Sequence, residues 1–348
     1  MTSKTILFRV DADSEIGAGH LMRCLALAQA WKSRGASVVF AMARSAPLLK
    51  NRLVENGIEV VPLSVEPGTT GDAEKTVLSA RNINAVWIVV DGYVFDAAFQ
   101  RILKENNQRV LFIDDYGHAA HYSADIILNQ NLTADEKLYK NREAFTRLLL
   151  GARYALLRSE FNSYRGWKRR IETDVKKILV TIGDGDKPNA TLSVIRAVQS
   201  LSDNGIELTV VAGGSNPHFD ELKNVCGHSP LSIRLERNVP NMPSLMAWAD
   251  MAVCGAGSTS WETAFMGLPN LVLVMADNQA PLSHVLEEKQ IAVNLGWFHR
   301  LTPQGIATSL RSLMKDKERR VKMSEAGPAL VDGKGAERII DEQIRMSK

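Results

Sequence analysis

Residues 5–35 read TILFRVDADSEIGAGHLMRCLALAQAWKSRG. An apolar run at 6–10 stops at a loop of acids and glycines, 11–19. The loop opens directly into a stretch, 20–32, that sets Leu21, Leu25, Ala28 and Trp31 near one face of a helix. Gly35 stands just past its end, where a left-handed cap is easiest. A strand, a glycine-bearing turn and a helix in that order open a doubly wound α/β domain. The same alternation continues outward, with strands expected at 38–42, 58–63, 86–90, 110–113 and 126–128.

The alternation pauses across 164–174, where charge is high and apolar periodicity is lost, and then resumes. Strands are expected at 178–182, 208–211, 233–235, 251–254 and 271–274, with helices at 189–201, 260–266 and 280–289 among them. A chain of 348 residues exceeds what one core usually serves. The expectation is therefore two Rossmann-like domains, 1–164 and 175–348, facing across a cleft, with a last helix from residue 336 free to pack back on the first.

Composition narrows the function classes. The chain is 45% hydrophobic and 23% charged, and its net charge of +3 is made of mixed signs. Its one dense basic run, 165–170, reads as a solvated linker and not a nucleic-acid surface. No apolar stretch approaches the roughly 20 residues of a membrane span, and residues 1–10 do not form a signal peptide, so no membrane partner and a cytoplasmic location are expected. Cys24, Cys226 and Cys254 form no CxxC pair, which argues against a disulfide framework or a cysteine zinc site; buried, reduced thiols are expected. A monomer is the default.

Ligand chemistry then falls to loops at the carboxyl ends of strands. In the first loop Gly17 and Gly19 let backbone approach a ligand, and the helix start offers unpaired N–H groups. A dinucleotide fingerprint fails there: Met22 stands where a third glycine belongs, and no acid follows the second strand at 42–44. His20 sits at the positive end of the helix dipole, which disfavours a charged imidazole and suits a neutral base that deprotonates water; a packing or capping role weighs equally. Asp13 reads as a sugar-hydroxyl ligand or a loop cap, and Asp11 as structural.

In the second half Gly257, Ser258 and Thr259 precede a helix and suit a diphosphate held by N–H groups and hydroxyls, with Glu262 one turn on able to accept both hydroxyls of a ribose. Ordinary N-capping and a first-turn acid explain the same residues. The loops 183–186 and 277–279 stand at equivalent strand ends, and Asn278 or Gln279 either caps the next helix or reaches a ligand.

Taken together, Phe8-Arg9-Val10-Asp11, Gly17-Ala18-Gly19-His20-Leu21-Met22-Arg23-Cys24, Asp91-Gly92-Tyr93, Asp114-Asp115, Tyr154-Ala155-Leu156-Leu157-Arg158, Gly257-Ser258 to Glu262, and Asn278-Gln279 resemble, in that order, the UDP-sugar hydrolases of pseudaminic acid biosynthesis. These are relatives of the GT-B glycosyltransferases that include the lipid II N-acetylglucosaminyltransferase. The resemblance implies a GT-B-like fold and hydrolysis of UDP-2,4-diacetamido-2,4,6-trideoxy-β-L-altropyranose. It places the general base at His20 and active-site groups at Tyr93 and Asn278, with UDP contacts at Gly257, Ser258 and Glu262. Arg158 and Gln279 lie in matching segments. Neither cofactor nor metal is implied. A glycosyltransferase of the same fold is the nearest alternative, a non-catalytic nucleotide-sugar sensor the next, and a nicotinamide dehydrogenase the last.

Overall fold

The computed structural model describes residues 4–13, 15–201 and 205–347; Met1 and Ser14 of the glycine-bearing loop lie outside the described residues. The chain divides into two compact units, residues 1–159 with 334–348, and residues 160–333.

The first unit runs β1 (Thr5–Val10), α1 (Gly19–Ser33), β2 (Ser37–Met42), α2 (Pro47–Glu55), β3 (Glu59–Pro62), α3 (Thr70–Asn82), β4 (Ala85–Asp91), α4 (Ala97–Glu105), β5 (Val110–Ile113), β6 (Ile126–Asn129) and β7 (Arg147–Leu150). Its seven strands are parallel, in the order β3-β2-β1-β4-β5-β6-β7. A parallel sheet is covered on both faces, which is why β1 is apolar almost throughout. Ile6, Phe8 and Val10 enter one core with α1, while Leu7 enters the other with Val77 of α3 and Phe99 of α4.

Arg9 is the exception on β1, fully buried and charged. Its guanidinium donates to both oxygens of Asp72 at 2.8 Å and to Asp11 at 2.8 Å, and lies 4.9 Å from the centre of the Phe95 ring. Burial alone would weaken its charge, but the two carboxylates outweigh it and hold the guanidinium above its usual range. Asp11 also accepts from the backbone N–H groups of Ala43 and Arg44, so it serves the scaffold.

The second unit runs β8 (Lys177–Thr181), α5 (Ala190–Gln199), β9 (Glu207–Ala212), α6 (Phe219–Gly227), β10 (Ser232–Arg237), α7 (Met242–Trp248), β11 (Met251–Gly255), α8 (Thr259–Phe265), β12 (Asn270–Val274), α9 (Ala280–Glu288), β13 (Val293–Trp297), α10 (Pro303–Lys315) and α11 (Lys317–Leu330). Its order, β10-β9-β8-β11-β12-β13, repeats the pattern of the first unit. In both sheets the winding reverses beside the first strand, at β1/β4 and at β8/β11, and ligands of open α/β sheets bind at such reversals.

The last helix, α12 (Gly335–Met346), belongs to the first unit. It buries Ile339 and Ile340 completely, and Gln343 accepts from the Trp31 indole at 3.1 Å. Gly335 starts it against the turn Ala152–Tyr154, where a Cβ would fall 2.2 Å from the Ala155 carbonyl oxygen.

Two expectations are corrected. The segment 165–170 is not a solvated linker throughout. Arg169 turns inward and donates to the carbonyls of Met246 (2.6 Å), Ala249 (2.5 Å) and Met266 (3.1 Å), which close α7 and α8. Helix C-termini leave such carbonyls unpaired and favour a cation. Burial pushes the Arg169 guanidinium down to about 10, with Asp250 opposing. The sequence pattern missed this because a basic run with lost periodicity carries no signal of carbonyl partners. All three cysteines are free thiols, but Cys226 is only half-buried, unlike Cys24 and Cys254.

Candidate active site

At the reversal of the first sheet, α1 brings His20 and Arg23 to the carboxyl end of β4, where Asp91 is the last strand residue. His20 Nδ1 lies 2.7 Å from Asp91 Oδ1. Arg23 donates through Nε to Asp91 Oδ2 at 2.6 Å, through Nη2 to Asp91 Oδ1 at 2.7 Å and through Nη1 to Asp115 Oδ1 at 2.7 Å. Tyr93 donates its hydroxyl to Asp115 Oδ2 at 2.6 Å, and Asn131 Nδ2 donates to Asp115 Oδ1 at 2.9 Å. The His20 ring meets Tyr93 edge-on, with centres 4.8 Å apart.

The electrostatics fix where the protons lie. Burial alone would raise the Asp91 carboxyl, yet the charges of Arg23 and His20 and the bonds both donate hold it below the ordinary range. For Asp115 burial likewise opposes, and Arg23 with the Tyr93 hydroxyl takes it well below that range. Both are therefore ionised and can only accept. In the neutral imidazole His20 Nδ1 then carries the proton, and Nε2 is the ring nitrogen with the lone pair. The 3.0 Å approach of Arg23 Nη2 to Nδ1 is a neighbouring contact, because both atoms donate to Asp91. His20 remains partly accessible, its side chain 12% exposed.

Beside this cluster lies a second one. Asp114 accepts from the Tyr122 hydroxyl and from the N–H groups of Tyr116 (2.7 Å) and Gly117 (2.8 Å), and its carboxylate is 3.3 Å from His118 Nδ1. Burial opposes charge on His118, but Asp114 outweighs it and raises the imidazole above its ordinary value. Gly92 takes φ +149°, and a Cβ there would sit 2.9 Å from the Phe95 ring, so the middle residue of Asp91-Gly92-Tyr93 has no room for a side chain.

Among the residues singled out from sequence, the first unit brings His20 and Tyr93 together. Gly19 is the first residue of α1 and Gly17 precedes it with φ +80°. Asp13 closes a turn, accepting from the N–H groups of Glu15 and Ile16 at 2.8 Å each, which is the loop-cap reading. Arg158, a residue of the first unit, is buried at 7% exposure. Arg23, Asp91, Asp115 and Asn131 were not read as site residues. Acids at the ends of two apolar strands, Asp91 closing β4 and Asp114-Asp115 following β5, were the available signal.

In the second unit Gly257, Ser258 and Thr259 follow β11 at the other reversal. Ser258 occupies the N-cap of α8 without a side-chain cap bond. A Cβ on Gly257 would meet Gln279 Nε2 at 3.5 Å, so these two segments adjoin, and Gln279 Oε1 accepts from the Met275 N–H at 3.0 Å. Glu262 lies in the first turn of α8, close enough to help raise the buried Cys254 thiol, which burial chiefly pushes up to about 12. Asn278 is exposed in the short turn Asp277–Gln279. Asp186 caps α5 through the N–H groups of Ala190 and Thr191, the plain-turn reading of its loop. Among the described residues no group of three or more His, Cys, Asp or Glu side chains is placed to hold a metal ion. No helix among them is long and apolar enough to cross a membrane.

Residues 178–342 match the Glycosyltransferase family 28 C-terminal domain. Over 275 residues the chain is 26% identical to Uncharacterized protein MJ1062 of Methanocaldococcus jannaschii, covering 77% of this chain and 55% of that protein, so it spans about half of that relative's length. It is 24% identical over 287 residues to the UDP-2,4-diacetamido-2,4,6-trideoxy-beta-L-altropyranose hydrolase of Campylobacter jejuni subsp. jejuni serotype O:2, covering 82% of this chain and 96% of that one. The crystal structure of Acinetobacter baumannii MurG superposes with a TM-score of 0.66 at 14% identity, covering 99% of this chain and 100% of that one. By fold, this chain is of the GT-B type, two parallel-sheet α/β units with one strand order between them.

Proposed function

We propose that the chain hydrolyses UDP-2,4-diacetamido-2,4,6-trideoxy-β-L-altropyranose to UDP and the free 2,4-diacetamido-2,4,6-trideoxy-L-altrose, with inversion at the anomeric carbon. The observation that carries the reading is the 2.7 Å pairing of His20 Nδ1 with Asp91, which leaves Nε2 as a proton acceptor at a sheet reversal. The Campylobacter relative of that name and the ordered motifs along the chain support the substrate.

In this reading His20 Nε2 takes a proton from water as the water oxygen bonds to the anomeric carbon and the bond to UDP breaks on the opposite face. Tyr93 and Asn278 meet the sugar. Gly257, Ser258 and Thr259 hold the diphosphate through N–H groups and hydroxyls, Glu262 takes the ribose hydroxyls, and Gln279 supports that loop. Gly17, Gly19 and Arg158 complete the substrate contacts, with Asp13 adding one through the carboxylate oxygen that its loop cap does not use.

The test is proton NMR of the purified protein with the UDP-altropyranose sugar and no acceptor. Wild type should release UDP and first form the opposite anomer, and His20→Ala should slow release by about 10²- to 10⁴-fold, the usual contribution of a general base. A second reading, a glycosyltransferase, is favoured by the family 28 match over residues 178–342. Release of UDP only when a sugar acceptor is added would select it, and saturable binding without release under any condition would leave a sensor.

A further inference from the structure

Tyr93 reaches its site with a proton direction that the surrounding charges dictate. Asp115 Oδ2 accepts from the Tyr93 hydroxyl at 2.6 Å, while Asp115 Oδ1 is held by two donors, Arg23 Nη1 at 2.7 Å and Asn131 Nδ2 at 2.9 Å. A phenol has one proton. With that proton committed to a carboxylate, the oxygen can only accept from a ligand. Arg23 is shared, since its other two nitrogens bind Asp91, the carboxylate that fixes the proton on His20 Nδ1. Beyond Tyr93 stands Tyr116, a residue 47% exposed, whose ring centre is 5.1 Å from that of Tyr93. Asp114 anchors the Tyr116 backbone from below.

We propose that Asp115 and Arg23 are positioning residues that turn Tyr93 into an obligate hydrogen-bond acceptor, and that Tyr93 with Tyr116 reads an acylamino group of the sugar. Its N–H donates to the Tyr93 oxygen and its methyl lies against the Tyr116 ring. The inference rests on the reading of this reversal as a sugar site, and it adds the group recognised. A carbonyl or phosphate oxygen over Tyr93 meets only lone pairs and is rejected. An N–H beside a methyl satisfies both the acceptor and its apolar neighbour.

Asp115→Asn tests the polarity at constant shape. The two donors at the Oδ1 position select the amide oxygen, so the amide NH₂ faces Tyr93, and the phenol accepts from it and turns its own proton to the ligand. Asp115→Asn should raise KM for the diacetamido nucleotide sugar by about 10- to 100-fold, with a smaller change in kcat. Tyr93→Phe should raise KM less. The double variant, Asp115→Asn with Tyr93→Phe, should recover part of the loss, because the misdirected hydroxyl is gone. Tyr116→Ala should raise KM alone. A purely structural Asp115 predicts additive losses with no recovery, and that outcome, or an unchanged KM in Asp115→Asn, overturns the proposal.

Failure of the substrate reading is separate, since it appears as no UDP release by wild type. Neutron diffraction from unliganded, deuterium-exchanged protein needs no substrate. Deuterium between the Tyr93 oxygen and Asp115 Oδ2 in wild type, turned away in Asp115→Asn, supports the polarity; deuterium pointing away from Asp115 in wild type sinks it.

Discussion

His20 and Asp91 are 71 positions apart in sequence, and their pairing decides which imidazole nitrogen can act. Replacing the carboxylate with a carboxamide keeps the shape and removes the constraint. In Asp91→Asn the amide can present either donor or acceptor to Nδ1, and Arg23 loses its counter-charge. Activity should fall by at least about 100-fold, within the range of general-base catalysis, while binding of UDP alone is retained. Turnover near wild type would remove Asp91 from the mechanism. His118 supplies the pH signature of the neighbouring cluster. Its folded-state value is raised by Asp114, with Asp115 adding to it and the Phe95 carbonyl on the other ring nitrogen. A group raised on folding stabilises fully below its unfolded value of about 6.5 and loses that contribution as pH climbs through the folded value. Between pH 6 and 9 wild type should therefore lose thermal stability relative to His118→Gln; parallel curves would show that the Asp114 contact contributes nothing. At this scale the sequence singled out His20 and Tyr93, because they stand in short local motifs. It hid the partners, because Asp91 meets His20 across 71 positions and Asp115 meets Tyr93 across 22, while Arg23 and Asn131 reach Asp115 across 92 and 16.

Strands with both faces covered were plain from their apolar runs, and β5 was found to the residue at 110–113. The two strands that escaped, β7 and β13, are the outermost of their sheets. An edge strand has a neighbour on one side only and needs less apolar surface. β7 begins with an exposed Arg147, and none of Val293, Asn294, Leu295, Gly296 and Trp297 in β13 is fully buried. The segment around Arg169 was opaque for the opposite reason: it has no regular element, yet one side chain ties the ends of α7 and α8. Removing that side chain leaves three backbone acceptors short of a donor. Arg169→Ala should lower the unfolding free energy of the second unit by about 1–3 kcal/mol, read by urea titration of Trp248 fluorescence. A loss under about 0.5 kcal/mol, the scale of an unremarkable surface change, would mean that water replaces the guanidinium.

At the scale of the chain, the first unit is assembled from both ends of the sequence, 1–159 and 334–348. Without α12 the core beneath α1 loses Ile339 and Ile340, both fully buried, and the indoles of Trp31 and Trp87 lose their acceptors on Gln343 and Ser347. Each large apolar side chain removed from such a core costs about 2–5 kcal/mol, so two of them rival the roughly 5–15 kcal/mol that holds a domain folded. A fragment of residues 1–159 should therefore be unfolded or molten, with little near-ultraviolet circular dichroism. Joining residues 334–348 to it through a flexible linker should restore a cooperative transition. The second unit carries its own sheet and core within 160–333 and should unfold cooperatively as that fragment alone. If 1–159 folds without α12, the last helix is dispensable to the unit that presents His20, and His20 geometry would then owe nothing to the C-terminus. If it does not, truncations that end before residue 334 should abolish activity while leaving a folded second unit, and UDP binding to that remnant would assign the nucleotide to it.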